Sequence, residues 1–122
     1  MSDLSKKILL CDDSLLVRVQ LKEFLLNYNS SFEIIEASDG EQAVEKYIDN
    51  NPDLVFLDIV MPQVDGLECL KRIKDYDQDA KVVIISSIGN QVMLREALKA
   101  GAMNFIQKPW NEEGVKKVLE TL

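Results

Sequence analysis

The chain of 122 residues contains no histidine, and this absence excludes several kinds of active site. Zinc sites built on imidazole and catalysis by a histidine base are both ruled out. The only cysteines are Cys11, in an apolar strand-like run, and Cys69, in a helical pattern. Two such positions predict buried, reduced thiols rather than a disulfide, and therefore a reducing compartment such as the cytoplasm.

Basic residues are also few, since 14 Lys and Arg face 21 Asp and Glu for a formal charge of −7. A protein that binds nucleic acid directly needs a basic face, so we expect no nucleic-acid ligand. No apolar run approaches the ~20 residues of a membrane span, and Met1–Lys7 lacks the apolar core of a secretory signal. We therefore expect one soluble domain over residues 1–122, with no membrane insertion.

Strand-like apolar runs alternate with helix-like stretches along the chain. The predicted strands are 7–11, 32–37 (more polar, so at an edge), 54–57, 81–86 and 104–107. The predicted helices are 15–28, about 39–50, 66–76, 92–100 and 111–122, with Gly101 as a left-handed cap after the fourth. Strands separated by helices pair in parallel through right-handed crossovers. This predicts an α/β fold, a flavodoxin-like, doubly wound five-stranded parallel sheet in order 2-1-3-4-5 with five helices.

Asp58 stands at the end of the most apolar strand, and a loop shaped by proline and glycine follows it. The carboxyl ends of parallel strands meet at one edge of the sheet, where open α/β sheets bind ligands. Three other strands end in polar residues that this topology brings to the same edge: Asp12, Asp13, Ser86 and Lys108.

Three neighbouring carboxylates repel one another. At an effective dielectric of about 20, each pair at ~4 Å costs on the order of 4 kcal/mol. The cluster must therefore be protonated, paired with Lys108, or neutralised by a divalent cation. An all-oxygen site with few carboxylates suits Mg²⁺ better than Ca²⁺. The same groups suit phosphoryl transfer to a carboxylate, with Asp58 as nucleophile and with Lys108 and the Ser86 hydroxyl contacting phosphoryl oxygens.

Four motifs follow one another along the chain: Asp12-Asp13 after a strand, Asp58-x-x-Met61-Pro62-x-x-Asp65-Gly66, Ser86 at a strand end, and Lys108-Pro109 preceded by Gly101-Ala102. Together and in this order, they resemble the receiver domain of two-component response regulators, and the resemblance spans the whole chain.

The resemblance implies that a histidine kinase donates a phosphoryl group to Asp58. Asp13 would bind Mg²⁺ directly and Asp12 through water, and the Val60 carbonyl would be a further ligand. In this family the bond between the lysine and the proline, here Lys108–Pro109, is usually cis.

The resemblance also implies a switch. Ser86 moves toward the phosphoryl group and Phe105 turns inward, so that the face formed by the fourth helix, fifth strand and fifth helix changes shape. In this family, residues at the positions of Val60 and Ile88 flank the path of the hydrolytic water. Neither side chain here can hydrogen-bond a water, which predicts slow autodephosphorylation.

Residues 13–18 and 86–91 look most like single-domain chemotaxis (CheY-like) regulators. That implies a flagellar motor switch protein or a phosphatase as partner, and a monomer or a phosphorylation-dependent dimer. We expect no enzyme activity beyond the protein's own phosphorylation and dephosphorylation at Asp58.

Other functions stay open at this point. The chain can be the receiver of a transcriptional regulator or of a phosphorelay. Phosphatases of the haloacid dehalogenase type need a second acid two residues after the aspartate nucleophile, where this chain has Val60. A flavodoxin has a phosphate loop rich in hydroxyls and glycine, where this chain has Asp12-Asp13. A docking module that works without phosphorylation typically lacks an acid or the lysine, and none is missing here.

Overall fold

The computed structural model describes residues 5–61, 65–87 and 91–122, and within these ranges the chain forms five strands and five helices. The strands are β1 (Lys7–Cys11), β2 (Glu33–Ala37), β3 (Leu54–Leu57), β4 (Val82–Ser86) and β5 (Asn104–Gln107). The helices are α1 (Leu15–Tyr28), α2 (Gly40–Asn50), α3 (Gly66–Tyr76), α4 (Gln91–Lys99) and α5 (Glu112–Leu119). The strands pair in parallel in the order β2-β1-β3-β4-β5, which confirms the predicted fold.

Helices cover both faces of the sheet, so the central strands are buried on both sides, as is usual for parallel sheets. Every residue of β3 and β4 is buried, whereas β2 is the partly exposed edge strand that its polarity predicts. One core cluster joins alternate strand residues to α2, α3 and α4. A second cluster joins the remaining strand residues to α1 and α5. The sheet therefore presents only its rims to ligands.

Polar side chains cap the beginning of four of the described helices; the sequence predicts this role for Asp13 or Ser14 and for Asn111. Ser14, Asp39, Asp65 and Asn111 each accept a hydrogen bond from the backbone N–H three residues later. Gly101 has a φ of 105°, so its left-handed conformation is confirmed.

Helix α5 is shorter than predicted, since it ends at Leu119 rather than at Leu122. The amides of Thr121 and Leu122 bond to the carbonyls of Val118 and Leu119 at 3.0 and 3.1 Å. These contacts span three residues, so the last turn tightens as helix ends commonly do.

The near-helical spacing of apolar residues predicts α1, but the sheet does not bury all of them; these residues are Leu15, Val19, Leu21, Leu25 and Leu26. Leu15 and Val19 are 63% and 43% exposed, while Leu21 and Leu25 are buried against the sheet. At roughly 100° per residue, the first pair is centred about 120° around the helix axis from the second. The sheet can cover only one of these sides.

Cys11 and Cys69 are both buried and unpaired, as predicted. Burial raises the pKa of each thiol, that of Cys69 to about 12. Among the described residues, no helix is both long and apolar enough to cross a membrane.

Candidate functional site

The acids after β1 and β3 meet because these strands are neighbours in the sheet. Cys11 lies opposite Leu57, so Asp12 and Asp58 leave the sheet side by side. The Asp58 amide donates to the Cys11 carbonyl at 2.9 Å, which continues the strand pairing up to the acid itself. Asp12, Asp13 and Asp58 each offer a carboxylate oxygen, and these oxygens lie within 4.8 Å of one another.

The three acids differ in burial. Asp12 and Asp58 are each 5% exposed, whereas Asp13 is exposed. A site formed in this way has two recessed carboxylates and one at the solvent edge. An approaching ligand can therefore reach the cluster from the side of Asp13.

Lys108 places an ammonium between the two buried carboxylates. Its Nζ donates to Asp12 Oδ2 at 2.7 Å and to Asp58 Oδ2 at 3.3 Å. The Lys108 amide donates to the carbonyl of Ser86 at 2.8 Å, which positions the lysine at the end of β4. The Lys108–Pro109 peptide is cis, as the family resemblance implies.

Burial and the neighbouring charges shift the pKa values of both Asp58 and Lys108. Burial, followed by the charge of Asp12, raises the pKa of Asp58, although Lys108 and the Val60 amide act in the opposite direction. Burial works to lower the pKa of Lys108, but its hydrogen bond to Asp12 and the two carboxylate charges outweigh this effect and raise it. The ammonium therefore stays protonated, while the ionised form of Asp58 is disfavoured until more positive charge arrives.

The other predicted site residues lie around this cluster. Ser86 is fully buried at the end of β4 and opposite Gln107. Phe105 lies in β5 opposite Ile84, half-buried against the core cluster that includes α4. Their movement as a switch stays a prediction.

Val60 follows Asp58 by two residues, and its amide donates to Asp58 Oδ1 at 3.3 Å. Its side chain is 51% exposed. The use of its carbonyl as a metal ligand stays a prediction. Ile88, named for the path of the hydrolytic water, lies outside the described residues, as does Pro62 of the loop motif.

Gly66 has a role at the site that the sequence alone did not reveal. A Cβ added there would lie 2.0 Å from the Asp58 carbonyl oxygen and 2.5 Å from the Cα of Ile59. The Gly66 amide also donates to the Ile59 carbonyl at 2.7 Å. The first residue of α3 thus packs directly on the backbone of Asp58. The Asp65-Gly66 pair was visible as a turn signal, but a turn signal does not show which backbone the glycine contacts.

The donor set fits Mg²⁺. The atoms that converge are carboxylate oxygens, with no imidazole or thiolate among them, and hard divalent cations prefer such ligands. One ammonium compensates only part of the charge of three carboxylates, so the cluster has capacity for a further cation.

Comparisons with known proteins agree with this geometry. The family model for the response regulator receiver domain matches residues 8–120. The chain is 41% identical over 120 residues to the chemotaxis protein CheY of Bacillus subtilis (strain 168), which covers 98% of this chain and 96% of that protein. It is 43% identical over 115 residues to CheY of Listeria monocytogenes, covering 93% of this chain and 95% of that protein.

Solved structures show the same likeness. A chain in the crystal structure of the CheX-CheY-BeF3-Mg complex from Borrelia burgdorferi superposes with a TM-score of 0.88 at 37% identity. The match covers 95% of this chain and 87% of that one. The chain therefore belongs to the family of response regulator receiver domains, and within it the chain is closely related to CheY.

Proposed function

We propose that this protein is a two-component phospho-acceptor switch for chemotaxis, in which a histidine kinase phosphorylates Asp58 in the presence of Mg²⁺. The observation that carries the proposal is the meeting of Asp12, Asp13, Asp58 and Lys108 at one rim of the sheet. The close relation of the chain to CheY favours this function over two alternatives, a phosphatase with an aspartate nucleophile and a docking module.

Each residue then has a distinct role. Asp12, Asp13 and Asp58 would hold Mg²⁺, together with the Val60 carbonyl. The ion would neutralise charge on the phosphoryl oxygens. Lys108 stands next to Asp58 Oδ2 and supplies a fixed positive charge for another of these oxygens. Ser86, whose backbone carbonyl binds the Lys108 amide, would contact a third oxygen through its hydroxyl.

The covalent step is a simple exchange at phosphorus. An oxygen of the Asp58 carboxylate forms a bond to phosphorus as the bond from phosphorus to the donor's imidazole nitrogen breaks. The electron pair of that bond stays with the nitrogen of the donor. No general base is required, because the nucleophile is already a carboxylate. The protein would thus catalyse only its own phosphorylation and dephosphorylation.

The phosphoryl group would act by shifting a population between two shapes. The new contact to Ser86 and the inward turn of Phe105 would alter the face formed by α4, β5 and α5. We assign to this face a cytoplasmic protein partner, either a flagellar motor switch protein or a phosphatase. The occurrence of a Borrelia relative in a CheX-CheY complex supports a direct protein partner.

Trp110 offers the test, since it is the single tryptophan and follows Lys108 by two residues. Its ring lies 5.5 Å from that of Phe24, so a change near Lys108 can alter its surroundings. In the wild type, the Trp110 fluorescence should change on adding Mg²⁺ and change again on adding beryllofluoride. In Asp58→Asn, the change with beryllofluoride should be absent.

Intact-mass spectrometry after exposure to acetyl phosphate should find one added phosphoryl group in the wild type. Asp58→Asn should show none, while the matched change Asp75→Asn on the exposed side of α3 should behave as the wild type. An unmodified wild type would overturn the proposal. A missing response to Mg²⁺ would favour the docking module.

A further inference from the structure

The backbone of Asp12 is held by Arg18, a residue of α1 to which the sequence analysis assigns no role at the site. Arg18 Nη1 donates to the carbonyl oxygen of Asp12 at 2.5 Å. The Arg18 side chain is only 14% exposed, so this contact is largely shielded from water. A partly buried guanidinium therefore reaches the strand end that supplies two of the three clustered acids.

Glu36 on β2 sets the direction of that guanidinium. Its Oε1 accepts from Arg18 Nε at 3.0 Å, and its Oε2 lies 3.5 Å from Lys22 Nζ. A guanidinium is a rigid planar fork, so fixing Nε on one partner also fixes where Nη1 points. Glu36 thereby aims the Arg18 donor at the Asp12 carbonyl.

The held carbonyl belongs to the peptide bond that joins Asp12 to Asp13. The Asp12 amide is bonded as well, to the Ala37 carbonyl at 3.1 Å. Both polar backbone groups of Asp12 are thus anchored, one to β2 and the other to α1. The orientation of this peptide decides the direction in which the Asp13 side chain leaves the backbone.

We propose that Arg18, aimed by Glu36, is a positioning residue for the cation site. It holds the Asp12–Asp13 peptide in the orientation that turns both carboxylates toward Asp58. The inference rests on the proposed function, in which these acids bind Mg²⁺. Groups that hold metal ligands in place typically affect affinity by about 10–100-fold when they are removed.

If Arg18 acted through its charge alone, replacing it would change the Mg²⁺ affinity in the opposite direction. The two explanations can therefore be separated by experiment. Arg18 is a cation near an anionic site, so deleting its charge should strengthen Mg²⁺ binding if only Coulomb interactions matter. Loss of positioning should weaken it. Arg18→Lys keeps the charge but lacks the planar fork, so it isolates the positioning effect from the charge effect.

The experiment measures the Mg²⁺ dissociation constant of the whole chain by Trp110 fluorescence and by calorimetry. The variants are Arg18→Lys, Arg18→Met and Glu36→Gln. The control is Arg72→Met, which removes an exposed guanidinium that pairs with Glu41 and Glu68. We expect Mg²⁺ affinity to fall by about 10-fold in both Arg18 variants, by less in Glu36→Gln, and not at all in the control.

A second readout separates positioning from general damage. Saturating Mg²⁺ should restore the rate of phosphorylation by acetyl phosphate in Arg18→Lys, because only the occupancy of the site is impaired. Urea unfolding in EDTA reports the stability of each variant. If Arg18→Met does not fold, the Mg²⁺ affinity of Arg18→Lys by itself tests the positioning role.

The two proposals fail in different ways. If the wild type binds Mg²⁺ and both Arg18 variants bind it equally well or more tightly, the positioning role is overturned and the proposed function stands. If the wild type itself binds no Mg²⁺, the proposed function is overturned and the role of Arg18 with it.

Discussion

Lys108 Nζ lies 2.7 Å from Asp12 Oδ2, a contact that joins the end of β5 to the end of β1 across two intervening strands. The same nitrogen is 3.3 Å from Asp58 Oδ2, so the ammonium is closer to Asp12 than to Asp58, which we assign as the phosphoryl acceptor. One cation among three carboxylates leaves excess negative charge. This imbalance underlies the first prediction.

Asp58→Asn should stabilise the metal-free protein at neutral pH, by about 1 kcal/mol in the free energy of unfolding. Burial and the charge of Asp12 raise the pKa of Asp58, so the fold disfavours the ionised carboxylate. A raised acid pKa means that the folded state binds the proton more tightly, so stability falls as pH rises through the ordinary carboxyl range. Below about pH 4, where the carboxyl is protonated in both states, the advantage of asparagine should disappear.

Urea unfolding in EDTA at neutral and acid pH tests this, with Asp75→Asn as the matched exposed control. Adding Mg²⁺ should stabilise the wild type more than Asp58→Asn, because the ion binds the folded state. An asparagine variant that is less stable than the wild type in EDTA at neutral pH would contradict the interpretation.

Gly66→Ala should impair both stability and the site. The new Cβ would meet the Asp58 carbonyl oxygen at 2.0 Å, and that atom is backbone that cannot rotate away. We expect a loss of at least about 2 kcal/mol in the free energy of unfolding and weaker Mg²⁺ binding, measured by urea unfolding and Trp110 fluorescence.

Gly114→Ala is the control for this change. Its new Cβ would lie 3.3 Å from Asn111 Oδ1, in the first turn of α5 and without a left-handed φ. Alanine favours helix over glycine by up to about 1 kcal/mol, so this variant should keep or gain stability. Equal losses from both substitutions would show that the contact with Asp58 is not the cause.

The phosphorylated wild type should lose its phosphoryl group more slowly than the double variant Val60→Asn, Ile88→Glu. The Val60 side chain is half-exposed and cannot hydrogen-bond a water. Polar replacements should speed hydrolysis severalfold, which is less than the about 10²–10⁴-fold of a full general base. Intact-mass spectrometry after removal of acetyl phosphate follows the decay. Equal or faster decay in the wild type would refute this prediction.

Tyr47→Phe should cost about 1–2 kcal/mol without affecting the site. The Tyr47 hydroxyl donates to Asp77 Oδ2 at 2.8 Å, and the residue is 1% exposed, so phenylalanine leaves a carboxylate without this donor. Burial, followed by the bond to Asp77, raises the pKa of Tyr47, so the stabilising contribution holds below pH ~10 and declines above it. Unfolding at pH 7 and above pH 10 should show the difference shrink, with unchanged Mg²⁺ affinity at pH 7. A constant difference would argue against the bond to Asp77 as its source.

Much of the fold was predictable because it follows from local patterns and one topological rule. The short apolar runs mark the strands, and Ser14, Asp39 and Asn111 mark helix starts through hydrogen bonds to backbone only three residues away. Parallel pairing through right-handed crossovers then fixes which strand ends share an edge. The meeting of Asp58 with Lys108 was predictable for this reason, although the two are 50 residues apart.

The sequence by itself therefore determined the order of elements and the chemistry gathered at one rim, because both depend on periodicity and on residue type at strand ends. Only the tertiary structure decided which side of α1 is covered, that Gly66 lies against the Asp58 carbonyl, and that Arg18 reaches the Asp12 carbonyl. Each of these depends on the distance between a helix and the part of the sheet that it packs against, which sequence separation does not fix even where the two residues are only six positions apart. Such distances arise from how helices pack on a twisted sheet, and no local pattern encodes them.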